Sequence, residues 1–204
     1  MRRRRAMSDP VARIVRALER ASRRPSSDYD LNPDFRLPER RKLRAAGVLV
    51  PIHVEAGEAT LYLTKRSSAL KHHPGQIAFP GGKQEPKDVD ATAAALREAH
   101  EEIGLDPANV ELFGMLPPHE TVTGFQVTPV VGRVIAPFEP IPEAGEVEEV
   151  FRVPLDHVLT SARYAVQSRQ WRGMRRAYYT VPYGPYYIWG ATARILRTLA
   201  DAAK

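Results

Sequence analysis

The sequence predicts an α+β fold, a mixed β-sheet flanked by helices. Two observations lead there: short β-rich runs follow one another from Ala45 onward, and only a few segments carry apolar residues at helical spacing. A third sets the scale. At 204 residues the chain suits one domain, long enough to bury a core, with a short appendage.

Taken in order, Ser8-Asp9-Pro10 starts a helix, with proline in its first turn and Val11, Ile14, Val15 and Leu18 at helical spacing. Arg13, Arg16, Arg20 and Arg23 share the opposite face, which reads as a peripheral helix packed on the domain. Residues 25–43, rich in Pro, Ser and Asp, read as an irregular connector. Residues 1–43 thus form a basic extension with helix and connector, and residues 44–204 the main domain. "AAGVLVPIHV" and "ATLYLTKR" are strands joined by "EAGE", a hairpin. A helix through Glu98 follows a glycine loop. "VELFGMLPP" and "VTPVVGRVI" are strands, residues 136–149 a Pro- and Glu-rich loop, and "VFRVPL" another strand. Pro154 opens a short helix through Leu159. "RYAVQSRQWRGMRRAYYTVPY" has two strand-like arms about a turn at Arg172-Gly173, and Trp189 to Ala203 is helical, with Ile195, Leu196 and Leu199 on one side.

Composition removes several function classes. Hydrophobic content of 43% and charged content of 26% are those of a folded water-exposed domain. With no cysteine, disulfides, thiolate metal sites and a cysteine nucleophile are excluded. A reducing compartment is compatible with this, and a cytoplasmic location is expected. No apolar run approaches a membrane span, so no membrane partner is expected. The net charge of +6 invites an anionic partner, but part of it sits in "MRRRRAM". That start reads as a tag-like extension; it lacks the apolar core of a signal peptide, though an Arg-rich start also suits an organellar transit peptide. The remaining basic residues are too dispersed to argue for nucleic acid.

The chemistry concentrates in "FPGGKQEPKDVDATAAALREAHEEIGL", Phe79 to Leu105. With Glu98 at zero on a helical wheel, Glu102 falls at about 40° and Glu101 at about −60°. Leu96, Ala99 and Ile103 form a separate apolar stripe at about 100–160°. Like charges at this spacing repel by about 0.2–0.5 kcal/mol per pair. A solvated acidic face is the plain explanation. It is weakened by Gly81-Gly82 just upstream, because glycine lets backbone approach a ligand. Three carboxylates beside such a turn make a hard-oxygen site for Mg²⁺ or Mn²⁺. Arg97 can pair with Glu101 at i, i+4.

Gly82 followed by Arg97-Glu98-Ala99-His100-Glu101-Glu102-Ile103-Gly104-Leu105 resembles the Nudix box, G-x5-E-x7-R-E-U-x-E-E-x-G-U with U aliphatic. The second half matches, with Ala99 in the place of an aliphatic. The first half is one residue longer, and Asp88 is the counterpart of the box's first glutamate. "LTKRSSALKHHPGQIAFPGG", Leu63 to Gly82, resembles the signature upstream of the box in Nudix coenzyme A pyrophosphatases, with Lys71 where arginine is usual. "TGFQVTPVVG" and "YYIWGATARIL" also look like this subfamily.

The resemblance implies a Nudix α/β/α sandwich that hydrolyses coenzyme A, and acyl-coenzyme A in the wider reading, to 3′,5′-ADP and 4′-phosphopantetheine. It implies cations held by Glu98, Glu101 and Glu102, with the Gly81 carbonyl as a further ligand. Arg66, Lys71, His73, Gln76, Gly81 and Gly82 would bind substrate, Arg97 would serve catalysis with the glutamates, and the water's proton would pass to Glu102, Glu146 or Glu148. A homodimer is common in that superfamily. The rival substrates are NADH, ADP-ribose and nucleoside triphosphates, and the rival class is a silent nucleotide-sensing module, against which the intact glutamate trio speaks. His119 and His157 read as structural, and Trp171 and Trp189 as core or interface aromatics before base-stacking ones.

Overall fold

The computed structural model describes residues 9–21, 23–35, 41–171 and 173–204. The arginine run, Arg172 of the expected turn and the Trp171 side chain lie outside that description. Helix α1 (Pro10–Arg20) is capped by Asp9, whose carboxylate accepts from the Val11 N–H at 3.0 Å. It buries Ile14 and Ala17 in the main core. The expected irregular connector holds a two-residue strand, β1 (Ser26–Ser27). The hairpin is β2 (Arg44–Glu55) and β3 (Glu58–Arg66), turned by Ala56 and Gly57 at φ 51° and 83°. Positive φ at both central residues suits the right-handed twist of its arms.

Two short strands follow, β4 (Ile77–Ala78) and β5 (Gly81–Lys83). The glutamate helix is α2 (Ala91–Ile103), capped by Asp90 and closed by Gly104 at φ 71°. Next come β6 (Val110–Met115), β7 (His119–Glu120), β8 (Phe125–Val134) and β9 (Val147–Pro154). The expected loop at 136–149 therefore ends earlier, where β9 pairs with β3. Helix α3 (Leu155–Leu159) precedes the hairpin of β10 (Ala165–Trp171) and β11 (Met174–Thr180). Helix α4 (Gly190–Ala202) is the last element.

The sheet is mixed, as expected. Its path is β1-β7-β8-β2-β3-β4, with β2 and β8 parallel over Arg44–His53 and Phe125–Val134. One edge of β2 is shared. Its second half pairs with β3 from Ile52 to Glu55, whereas its first half pairs with β5, Ala46 to Val48 against Lys83 to Gly81. This fork puts the diglycine inside the sheet.

Alternation along the strands sends side chains to two cores, as the period of two requires. Val50, Ile52, Leu61, Leu63 and Val131 meet the helices α1, α3 and α4 on one face. Leu49, Tyr62, Val130 and Val134 meet Ala95, Ala99 and Ile103 of α2 on the other. A sheet between two helical layers results. The β10–β11 hairpin forms a separate two-stranded sheet. No helix among the described residues is long and apolar enough to cross a membrane.

Candidate functional site

Helix α2 lies directly on β2 because Gly47 has no side chain. A Cβ there would stand 2.0 Å from the Ala91 carbonyl oxygen and 2.9 Å from the Ala95 nitrogen. The diglycine serves close approach too, rather than the expected turn. Gly81, at φ 151°, lies in β5, where a Cβ would come within 2.5 Å of Val48 Cα. A Cβ on Gly82 would sit 2.5 Å from the Glu98 carboxyl carbon. Only a hydrogen there leaves room for that carboxylate.

Arg97 organises the acidic face. Its Nε and Nη2 donate to the two oxygens of Asp88 at 3.0 and 2.9 Å, a bidentate fork. Its Nη1 donates to Glu98 Oε1 at 2.9 Å and Glu101 Oε2 at 2.7 Å, and Nη2 reaches the Lys83 carbonyl at 3.2 Å. The expected i, i+4 pair is present. Asp88 is locked into this fork, and Arg97, with the Glu85 N–H, holds its carboxyl down to about 2.

The three glutamates differ in setting. Glu101 is half-exposed, with Lys87 at 3.9 Å. Glu98 is raised above the ordinary carboxylate range by burial, against the opposing pull of Arg97. Glu102 is buried; its Oε2 accepts from the Gly81 N–H at 3.0 Å, and Arg66 Nη1 is 3.8 Å from Oε1. Burial pushes its carboxyl up to about 7, and the carboxylates of Glu98 and Glu146 add to the rise.

Glu146 stands on the loop before β9. That loop is tied to the helix end by the amides of Ile141 and Glu143, which donate to the carbonyls of Ile103 and Glu102 at 3.0 and 2.9 Å. It is tied to β3's end by the Ser67 amide, which donates to the Glu146 carbonyl at 2.8 Å. Glu148 is committed elsewhere. It accepts from Lys65 Nζ at 2.6 Å and the Ser68 N–H at 3.2 Å, and Lys65 lowers its carboxyl.

Among the described residues no three such side chains stand as a ready metal cluster, and Arg97 engages both Glu98 and Glu101. The donor set nonetheless suits a divalent cation. A buried carboxylate at about 7 with one amide hydrogen bond gains from a nearby positive charge, and carboxylate oxygens are the ligands that such a hard cation takes.

This burial has a measurable sign. Glu102 binds its proton more tightly in the fold than its ordinary 4.5, so the metal-free protein loses stability as pH rises through about 7. Glu102→Gln should therefore melt above the parent in EDTA at pH 8.5, by about 1–3 kcal/mol, and equally with it at pH 5. Saturating Mg²⁺ should remove the advantage by stabilising the parent alone. Identical melting of the two proteins at both pH values would show that the carboxyl ionises freely.

Beside Gly81 opens a cavity of 460 Å³, lined by Arg66, Lys71, His73 and Gln76 from the β3–β4 segment. All the sequence-predicted substrate residues except Gly82 line it. Sequence reasoning missed the rest of its charged and aromatic lining, Arg169 and Arg176 of the hairpin with Tyr178 and Trp189. No local pattern marks them; only the tertiary placement of the hairpin does. Trp189, expected in a core or interface, is a half-buried wall of this cavity. His119 and His157 are structural, as expected. His119 is fully buried between Ser26 Oγ at 2.9 Å and Asp28 Oδ1 at 3.2 Å, and His157 Nε2 donates to the Pro182 carbonyl at 2.9 Å.

The NUDIX domain profile matches residues 43–176. The "Uncharacterized Nudix hydrolase NudL" of Enterobacter sp. (strain 638) is 46% identical over 157 residues, 77% of this chain and 81% of that protein. Its namesake in Klebsiella pneumoniae (strain 342) is 45% identical over 185 residues, 85% of this chain and 96% of that protein. A crystal structure of a Nudix hydrolase from M. Smegmatis, RenU, superposes with a TM-score of 0.48 at 23% identity, covering 56% of this chain and 73% of that one.

Proposed function

The chain belongs to the Nudix family and is a pyrophosphohydrolase acting on a nucleoside diphosphate derivative; from this premise we propose that its substrate is coenzyme A. The observation that carries the proposal is the cavity beside Gly81. The segment Leu63 to Gly82, which resembles the coenzyme A pyrophosphatase signature, forms the end of β3, β4 and β5 and the loop between them. It thereby places Arg66, Lys71, His72 and His73 on one cavity wall, next to the buried Glu102. An adenine nucleotide bearing a phosphate besides its diphosphate suits such a wall.

Nudix hydrolases generally need Mg²⁺ or Mn²⁺, which neutralises the diphosphate and acidifies a bound water. Glu98, Glu101 and Glu102 would hold the cation, with the Gly81 carbonyl as a further oxygen. Arg97 fixes the rotamers of Glu98 and Glu101 before substrate arrives. Glu146 takes the proton of the attacking water, since Glu148 is engaged by Lys65. As the water oxygen bonds to phosphorus, the bridging P–O bond breaks, giving 3′,5′-ADP and 4′-phosphopantetheine. Residues 44–204 carry this activity.

A Mg²⁺-dependent panel of coenzyme A, 3′-dephospho-coenzyme A, ADP-ribose, NADH and nucleoside triphosphates tests the reading. Coenzyme A should give the highest kcat/KM. Efficient cleavage of ADP-ribose or a triphosphate with coenzyme A left uncut would transfer the function to that substrate.

A further inference from the structure

The β10–β11 hairpin carries an arrangement that a stable ribbon does not favour. Its register sets Arg169 directly opposite Arg176. Like charges across a ladder destabilise it. Both arginines line the 460 Å³ cavity together with Arg66, Lys71, His72 and His73. The single carboxylate of that lining is Asp28, and it is engaged: Oδ1 by His119 and Oδ2 by the Val122 N–H at 2.9 Å. Positive charge therefore exceeds negative all round the cavity. His73 registers the excess: burial lowers its tendency to protonate, and Arg66, His72 and Arg169 lower it further.

The cations are not equivalent. Arg66 faces Glu102 and so belongs to the diphosphate end. Arg176 is buried over the rings of Tyr29 and Phe35, at 5.1 and 5.3 Å. Arg169 is exposed and stands over Trp189, its guanidinium carbon 4.2 Å from the ring centroid, with Tyr178 edge-on to the same indole at 5.1 Å. That stack holds the guanidinium at the cavity wall, so less freedom is lost when it pairs with an anion.

Resting on the reading of the site given above, we propose that Arg169, braced on Trp189, is a specificity-determining residue. It receives a phosphate monoester on the nucleotide half of the substrate, away from the diphosphate that is cut. Arg169→Met keeps an unbranched chain over the indole and removes the charge and the fork. The ratio of kcat/KM for coenzyme A to that for 3′-dephospho-coenzyme A should fall about 10- to 100-fold, mainly through KM for coenzyme A. Arg169→Lys should restore part of the ratio. Arg175→Met, on the same hairpin with its Nε bonded to Ser168 Oγ at 2.7 Å, is outside the cavity lining and should keep it.

A calorimetric titration separates failure of this inference from failure of the substrate assignment. The parent should bind 3′,5′-ADP more tightly than 5′-AMP, and Arg169→Met should erase the difference, whichever pyrophosphate proves to be the substrate. An unchanged preference in Arg169→Met, or no preference in the parent, would overturn the inference.

Discussion

Glu102→Gln and Glu101→Gln are each expected to lower kcat by at least about 10²-fold with the fold intact. On the proposed reading, a cation held here would stabilise the transition state by several kcal/mol, and a neutral amide would not hold it in the same way. The two variants approach the effect from different settings. Glu102 is buried and hydrogen-bonded to Gly81, so glutamine retains the shape and removes the charge. Glu101 is half-exposed and held by Arg97, so its loss also releases one arm of that guanidinium. Circular dichroism and melting curves would verify the fold, and steady-state kinetics at saturating Mg²⁺ would measure turnover. Near-normal kcat in both would remove the glutamates from the metal assignment.

Gly47→Ala should cost about 3 kcal/mol or more of stability. The new methyl would meet backbone atoms of α2 at 2.0, 2.9 and 3.0 Å, and no rotamer change can relieve a backbone clash. Either the helix lifts from β2 or the strand bends. Both outcomes move the glutamates away from Gly81 and Gly82, so activity should fall with stability. Urea denaturation of the purified variant gives the number, and a loss below about 1 kcal/mol would show that α2 is free to shift on the sheet.

The glutamate helix was legible because its signal is local: the apolar stripe of Leu96, Ala99 and Ile103, set apart from the face of Glu98, Glu101 and Glu102. The hairpin of β2 and β3 was legible for the same reason. The role of the diglycine was not, since a Gly-Gly pair looks alike in a turn and in a strand. Only the pairing of β5 with β2 distinguishes them, and that contact joins residues far apart in sequence. Asp88 was found by counting along a motif, but its bidentate pairing with Arg97 depends on how the loop folds back. The hairpin's share of the cavity lining was invisible for a different reason. Arg169 and Trp189 are 20 residues apart, with no periodic relation, and meet through the placement of a separate hairpin on α4's start.

The two peptide hydrogen bonds from Ile141 and Glu143 to the end of α2 bear on how this protein can vary. They tie the loop that carries Glu146 to the end of the helix that carries Glu102 through main chain. Substitutions between residues 136 and 145 should leave that tie in place where the amides stay available and the side chains that anchor the loop, Phe138 on Tyr62 and Glu143 on the Glu146 amide, are kept. Proline is the exception, because at 141 or 143 it would remove a donor. Drift at the loop's solvent-facing positions is thus compatible with a fixed tie between loop and helix, leaving its outer surface open to adaptation.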